Sequence, residues 1–335
     1  MCPLRRRRQP VALAVPALLL AGAAGTACGA SAQAVEYWAF TAPWDARSDS
    51  AVRAHGAKLD AIVAGWIALD SATAQPVRPP LFEDRLRIQD GTALRMALVT
   101  TWHGDRFHPE TIRALARDPD ALDRAAAAVA EQAAASGYGG LVFDFEALEP
   151  DDLGGLLAVL EEMAGAARRR GIGTIAVAIP ATETRAYPAE PLLAVADALI
   201  VMLYDQHWSG SEPGPISDPD WVRSSLAIRL DEVGPDRLIA GLPLYGYHWR
   251  PGGPAEPVSF AEAAARARRA GAPLARDVAS QTLRSAARDS EIWVTDAALL
   301  TRLVEQVGGV GVRRVALWRL GQEDPAIWTD LIGRD

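Results

Sequence analysis

Two carboxylates two residues apart, Asp144 and Glu146, lie inside the most strand-like run of the chain, GGLVFDFEAL at residues 139–148. A strand sends alternate side chains to opposite faces, so Val142, Asp144 and Glu146 share one side and Leu141, Phe143 and Phe145 share the other. One face is apolar throughout, while the other passes from apolar to acidic. An ionised carboxylate buried without a partner is strongly disfavoured, so this face either meets water or performs chemistry. The chemistry available to two such acids is proton transfer. Partial desolvation and a neighbouring like charge raise a carboxyl pKa, and an acid so tuned can give up a proton near neutrality and take it back.

The elements that must carry these acids alternate along the chain. Eight apolar runs read as strands: VEYWAF, AIVAGWIAL, ALRMALVTTW, GGLVFDFEAL, GTIAVAIPA, ALIVMLYD, RLIAGLPLYGY and RRVALWRLG. Helical patterns fall between them, such as DPDALDRAAAAVAEQAAASG and PDDLGGLLAVLEEMAGAARRRG, the second with acids in its first turn and arginines in its last. Strands alternating with helices, and apolar on both faces, predict parallel pairing with helices outside. Eight repeats predict an α/β fold of the (β/α)8 TIM-barrel type, with a doubly wound open sheet as the alternative. In a barrel the reactive groups gather at the carboxyl ends of the strands, which places Glu146 at the mouth of the fourth strand and Asp144 one inward step below. The rhythm breaks after the seventh strand. A small α+β insertion is expected at about 250–296, with short strands near Gln281–Ser285 and at Glu291–Thr295 and a helix from about Asp296.

The chain has 335 residues, half of them apolar, which is enough for a single large core over residues 33–335. Residues 1–32 read differently. Arg5 to Arg8 precede an apolar segment from Val11 to about Ala24 and the small-residue triplet Ala30, Ser31, Ala32, the pattern of an export signal cleaved after Ala32. Lipid attachment at Cys28 and an uncleaved anchor are the alternatives. The expected destination is the periplasm, the medium or the outer envelope. Both cysteines, Cys2 and Cys28, fall in this leader, which excludes a disulfide framework or a thiolate metal site in the body. Deducting the four leader arginines from the net charge of −8 leaves −12, a balance that disfavours nucleic acid and anionic membranes as partners. The five histidines, His103, His108 and His207 among them, lack the close pairing of a hydrolytic zinc site, so neither metal nor other cofactor is expected. Trp44, Trp66, Trp102, Trp208, Trp249 and Trp318 fall at strand ends or in the loops that follow, and flat aromatic faces there suit sugar rings.

Four of these stretches together resemble glycoside hydrolase family 18, the chitinases and bacterial cell-envelope N-acetylglucosaminidases. GGLVFDFE is similar to the family's fourth-strand DGxDxDxE at Gly140, Asp144 and Glu146. MLYD, from Met202 to Asp205, resembles its sixth-strand MxYD, GLPLYG its seventh-strand run, and Trp318 falls where an eighth-strand Trp floors the sugar site. The resemblance implies hydrolysis of a β-linked N-acetylglucosamine polymer by substrate assistance, an exception to the two-carboxylate scheme. It implies Glu146 as acid and later base, Asp144 as acceptor for the acetamido N–H, and Tyr204 as donor to the acetamido oxygen. Met202, Asp205, Tyr245, Trp318 and Trp208 are the implied substrate-binding residues, and the mature protein would be a monomer acting on poly- or oligosaccharide. An ordinary retaining glycosidase needs a second carboxylate about 5 Å from the first, often from the seventh strand. Here that strand ends LYGYHW and offers no acid. Two departures stand out: Gly139 and Val142 replace acids of the signature, and the loss at Val142 bears on how Asp144 is tuned. The ending ALWRLGQEDPAIW is similar to modules that bacteria join to polysaccharide deacetylases and glycosyltransferases, which implies an envelope or exopolysaccharide glycan. The reading of another class is a sugar-binding barrel without turnover.

Overall fold

A computed structural model describes residues 34–77 and 92–333. The proposed signal segment, with its cleavage and lipidation sites, lies outside the described residues. Eight parallel strands follow one another around the molecule: β1 (Glu36–Phe40), β2 (Ala61–Leu69), β3 (Leu94–Thr100), β4 (Gly140–Asp144), β5 (Thr174–Pro180), β6 (Ala198–Met202), β7 (Leu238–Pro243) and β8 (Arg314–Trp318). Each pairs with the next, and β8 pairs with β1, so the sheet closes on itself as a barrel.

Alternation sorts the side chains of every strand between two cores. Outward residues such as Tyr37, Ile62, Val99, Phe143, Val177 and Leu317 pack against the surrounding helices. Inward residues form a second, smaller cluster that includes Trp38, Met96, Leu98, Val142, Ile200 and Ile239. Many inward positions are small, Ala61, Ala176, Ala178, Ala198 and Ala316 among them. The helices form for local reasons that the sequence shows. The helix Pro119–Ala135 starts at Asp118, whose carboxylate accepts the Ala121 N–H at 3.0 Å, and it buries Leu122, Ala126, Val129 and Ala133 on one face.

One strand departs from plain alternation. The pairing of β2 with β3 slips between Val63 and Gly65, so one extra residue enters β2 there. Ile62 faces out and Val63 faces in, yet Trp66 also turns toward the interior cluster. A Cβ at Gly65 would come within 2.6 Å of the Tyr138 ring and 2.7 Å of the Ala97 side chain, so the bulge requires glycine at that place.

The segment between β7 and β8 is larger than the sequence suggested. It holds a five-stranded antiparallel sheet, in the spatial order Glu256–Val258, Gly246–Trp249, Ser290–Val294, Leu283–Ala287, Ala275–Arg276, together with the helix Phe260–Arg269. It therefore begins at Gly246 rather than near residue 250. LYGYHW reads as the continuation of β7, but the barrel strand stops at Pro243 and the chain starts the second sheet. At Gly246 the pairing strand is so near that a Cβ would lie 2.1 Å from the Trp293 carbonyl oxygen.

Candidate active site

A cavity of about 280 Å3 opens at the carboxyl ends of the barrel strands. Asp144, Glu146, Met202, Tyr204, Asp205 and Trp318 all line it, so six of the eight residues singled out in the sequence meet around one space. The rest of the lining is aromatic or apolar, chiefly Phe40, Trp44, Trp66, Trp102 and Phe107. Trp44 and Trp66 meet edge to face at 5.0 Å between ring centroids, as do Trp102 and Phe107.

The acidic side of the cavity comes from β4. Asp144 is the strand's last residue and points inward beside Thr100, its register partner at the end of β3. The Thr100 hydroxyl donates to Asp144 Oδ2 at 3.3 Å, and the Asp144 carboxylate also accepts from the Glu146 carboxyl when that group holds its proton. Burial pushes the Asp144 carboxyl up to about 6, against the lowering effect of Glu146 and Thr100. Glu146, two residues on and half-buried at the mouth, is raised well above the ordinary glutamate range by desolvation first, and then by the charges of Asp144 and Asp205. The pair therefore retains a proton in conditions where two exposed acids would have lost both.

Another side comes from the end of β6 and from Trp318 at the end of β8. Tyr204 runs nearly parallel to the Trp318 ring, at 13° and 6.5 Å between centroids, and Trp318 in turn meets Phe40 edge to face at 5.3 Å. Burial and the three nearby carboxylates raise the Tyr204 phenol well above its usual range, so it remains a neutral hydrogen-bond donor. Asp205 adopts a left-handed backbone conformation, with φ of 57°. Its Oδ1 accepts the Tyr245 hydroxyl in a short hydrogen bond. Crowding raises the Asp205 carboxyl, and the Tyr245 and Tyr247 hydroxyls pull it back down.

Two expected residues fall elsewhere. Tyr245 is buried behind Asp205 instead of on the cavity wall, because the chain has already turned away toward the inserted sheet. Trp208 does not line the cavity. The loop after β6 folds back on itself there, and the Trp208 backbone N–H donates to the Ser211 hydroxyl at 2.9 Å, leaving the ring outside and half exposed. Sequence reasoning missed Thr100, Phe40 and Phe107. For Thr100 a signal existed, since it continues the inward series Leu94, Met96, Leu98 to the end of its strand. Phe40 likewise continues Trp38.

No family model matches the chain. The cortical fragment-lytic enzyme of Bacillus subtilis (strain 168) is 26% identical over 269 residues, which make up 75% of this chain and 62% of that protein. The chain thus spans less than two thirds of that relative's length. Among solved structures, the spore cortex-lytic enzyme SleL of Bacillus cereus superposes with a TM-score of 0.76 at 20% identity, covering 88% of this chain and 73% of that one. A class V chitinase of Nicotiana tobaccum, a mutant in complex with NAG4, superposes with a TM-score of 0.70 at 18% identity over 89% of this chain and 96% of that one. Structural likeness at such identities speaks to the fold alone. The curated relatives, named as glycosylases and cortical fragment-lytic enzymes, and the shared barrel fold make the chain chitinase-like, and its strand-end motifs resemble those of glycoside hydrolase family 18.

Proposed function

We propose that the protein is an exported glycoside hydrolase that cleaves β-linked, N-acetylglucosamine-containing polysaccharide with retention, using the substrate's own acetamido group as nucleophile. The observation that carries this reading is the buried Asp144–Glu146 pair at the carboxyl end of β4, in a cavity walled by aromatic rings, with burial raising both carboxyls. A buried carboxylate has room for several donors, and a substrate N–H arriving there would add one to those of Glu146 and Thr100. Glu146 protonates the departing glycosidic oxygen while the acetamido oxygen attacks the anomeric carbon. Asp144 accepts from the acetamido N–H and steadies the positive charge of the cyclised intermediate. Tyr204 donates to the acetamido oxygen and aims it. Water then opens the intermediate, with Glu146 taking its proton. Asp205 is no rival nucleophile in this scheme, because its carboxylate is engaged by phenol donors.

Relatives named as a cortical fragment-lytic enzyme and a chitinase crystallised with NAG4 support an N-acetylated glycan as substrate. Export rests on the leader sequence. The second reading, sugar binding without turnover, draws on Val142, an apolar residue where the signature carries an acid. Incubation with defined N-acetylated oligosaccharides and mass spectrometry of the products separates the two. Glu146→Gln should lower kcat by about 10³-fold while leaving oligosaccharide affinity within about twofold. Binding without products from wild type would favour the second reading.

A further inference from the structure

Glu146 sits in a short turn that the barrel strand does not itself support. β4 ends at Asp144, and Ala147 takes a φ of 61°, a left-handed conformation unfavourable for a residue with a side chain. Something must hold this turn. The hydroxyl of Tyr187, 2% exposed, donates to the Phe145 carbonyl at 2.9 Å and accepts the Leu148 N–H at 3.1 Å. One phenol thus ties the backbone on both sides of Glu146 and Ala147.

Tyr187 is itself fixed. Arg229, fully buried on the helix Pro219–Leu230, donates to the Tyr187 carbonyl at 2.8 Å, to those of Pro180, Ala181 and Glu183 at 2.6, 3.2 and 2.8 Å, and to Glu232 at 2.9 Å. The Glu183 carboxylate accepts the Arg185 and Ala186 N–H groups, ordering the same loop from within. A buried guanidinium satisfied almost wholly by carbonyls is a clamp on one conformation of the loop after β5.

We propose that Tyr187, clamped by Arg229, is a positioning residue that holds Glu146 against Asp144 in its proton-donating orientation. This inference rests on Glu146 being the general acid. Burial, and after it the charges of Glu146 and Asp144, raises the Tyr187 phenol, so it acts as a neutral donor.

Tyr187→Phe removes the bridge and keeps the ring; an Arg229 variant can fail to fold and is the poorer probe. Two readouts test it. On an N-acetylglucosamine tetramer, kcat/KM should fall about 10- to 100-fold, whereas on a nitrophenyl glycoside, whose leaving group departs without protonation, it should fall less than about threefold. In a carbon-13 titration of the Glu146 carboxyl, the variant's pKa should drop as the group drifts from Asp144 and from the dry pocket. Equal losses on both substrates with an unmoved titration would overturn the proposal and leave Tyr187 a structural residue. Unchanged activity and unchanged titration would overturn it as well, with the hydrolase reading intact. If wild type cleaved none of the glycans and the titration still moved, the hydrolase reading would fall and the positioning of Glu146 would stand.

Discussion

The two sides of the cavity place carboxylates in burial of different kinds. On the β4 side, Asp144 and Glu146 face each other and share a hydrogen bond, with the Thr100 hydroxyl as a further donor to Asp144, and both carboxyls are raised. On the β6 side, Asp205 is crowded and its carboxyl is raised too, but its hydrogen bonds come from phenols, which limit the rise. Two carboxyls desolvated together share a proton, and one of them can deliver it. One desolvated among donors stays a fixed acceptor. The barrel has used the same residue type for two tasks by changing only what surrounds it.

The strongest way to break this contrast is Glu146→Gln, whose expected loss of about 10³-fold in kcat would show that the proton on the β4 side does the work. Asp144→Asn comes next, with a loss of about 10²-fold in kcat and a lowered pKa for Glu146, read from the pH–rate profile. The same variant tests stability. Because folding raises Asp144 from 3.8 to about 6, the native state holds a proton that the unfolded chain has released. Stability from this group is full below about pH 4 and fades as the pH rises through about 6. Asp144→Asn should therefore match wild type in urea unfolding near pH 4 and exceed it near neutrality, by at most about 3 kcal/mol.

Tyr245→Phe sharpens the other side. It removes the donor to Asp205 without opening the cavity wall, so Asp205 should titrate higher and kcat/KM should fall about tenfold, with the acid limb of the profile moved up. The smallest effect belongs to Thr100→Val, which takes away the hydroxyl donor to Asp144 at almost constant volume. Turnover should fall about fivefold, measured on the same oligosaccharide. If Tyr245→Phe proved more damaging than Asp144→Asn, the assignment of tasks to the two sides would be reversed.

Much of the fold was legible in the chain because it depends on local periodicity. Alternation along GGLVFDFEAL already separates the acids from the phenylalanines, and the eight apolar runs set the strand count. Alternation alone misplaces Trp66. Counted from Ile62 it should face the helices, and only the bulge at Gly65 turns it into the cavity. LYGYHW similarly hid the point where barrel becomes antiparallel sheet, since a strand pattern does not say which sheet it joins.

The sequence by itself determined the barrel type, the strand that carries the acids and the face on which they stand, since these follow from spacings of two residues and from the order of the runs. Tertiary structure alone decided which side chains surround those acids. Tyr187 meets Phe145 across 42 positions, Arg229 meets Tyr187 across 42 more, and Asp205 takes its donor from 40 residues away. Such contacts leave no periodic trace in the chain, because they are set by how closed strands and their loops come together in space, and it is they that fix where each proton resides.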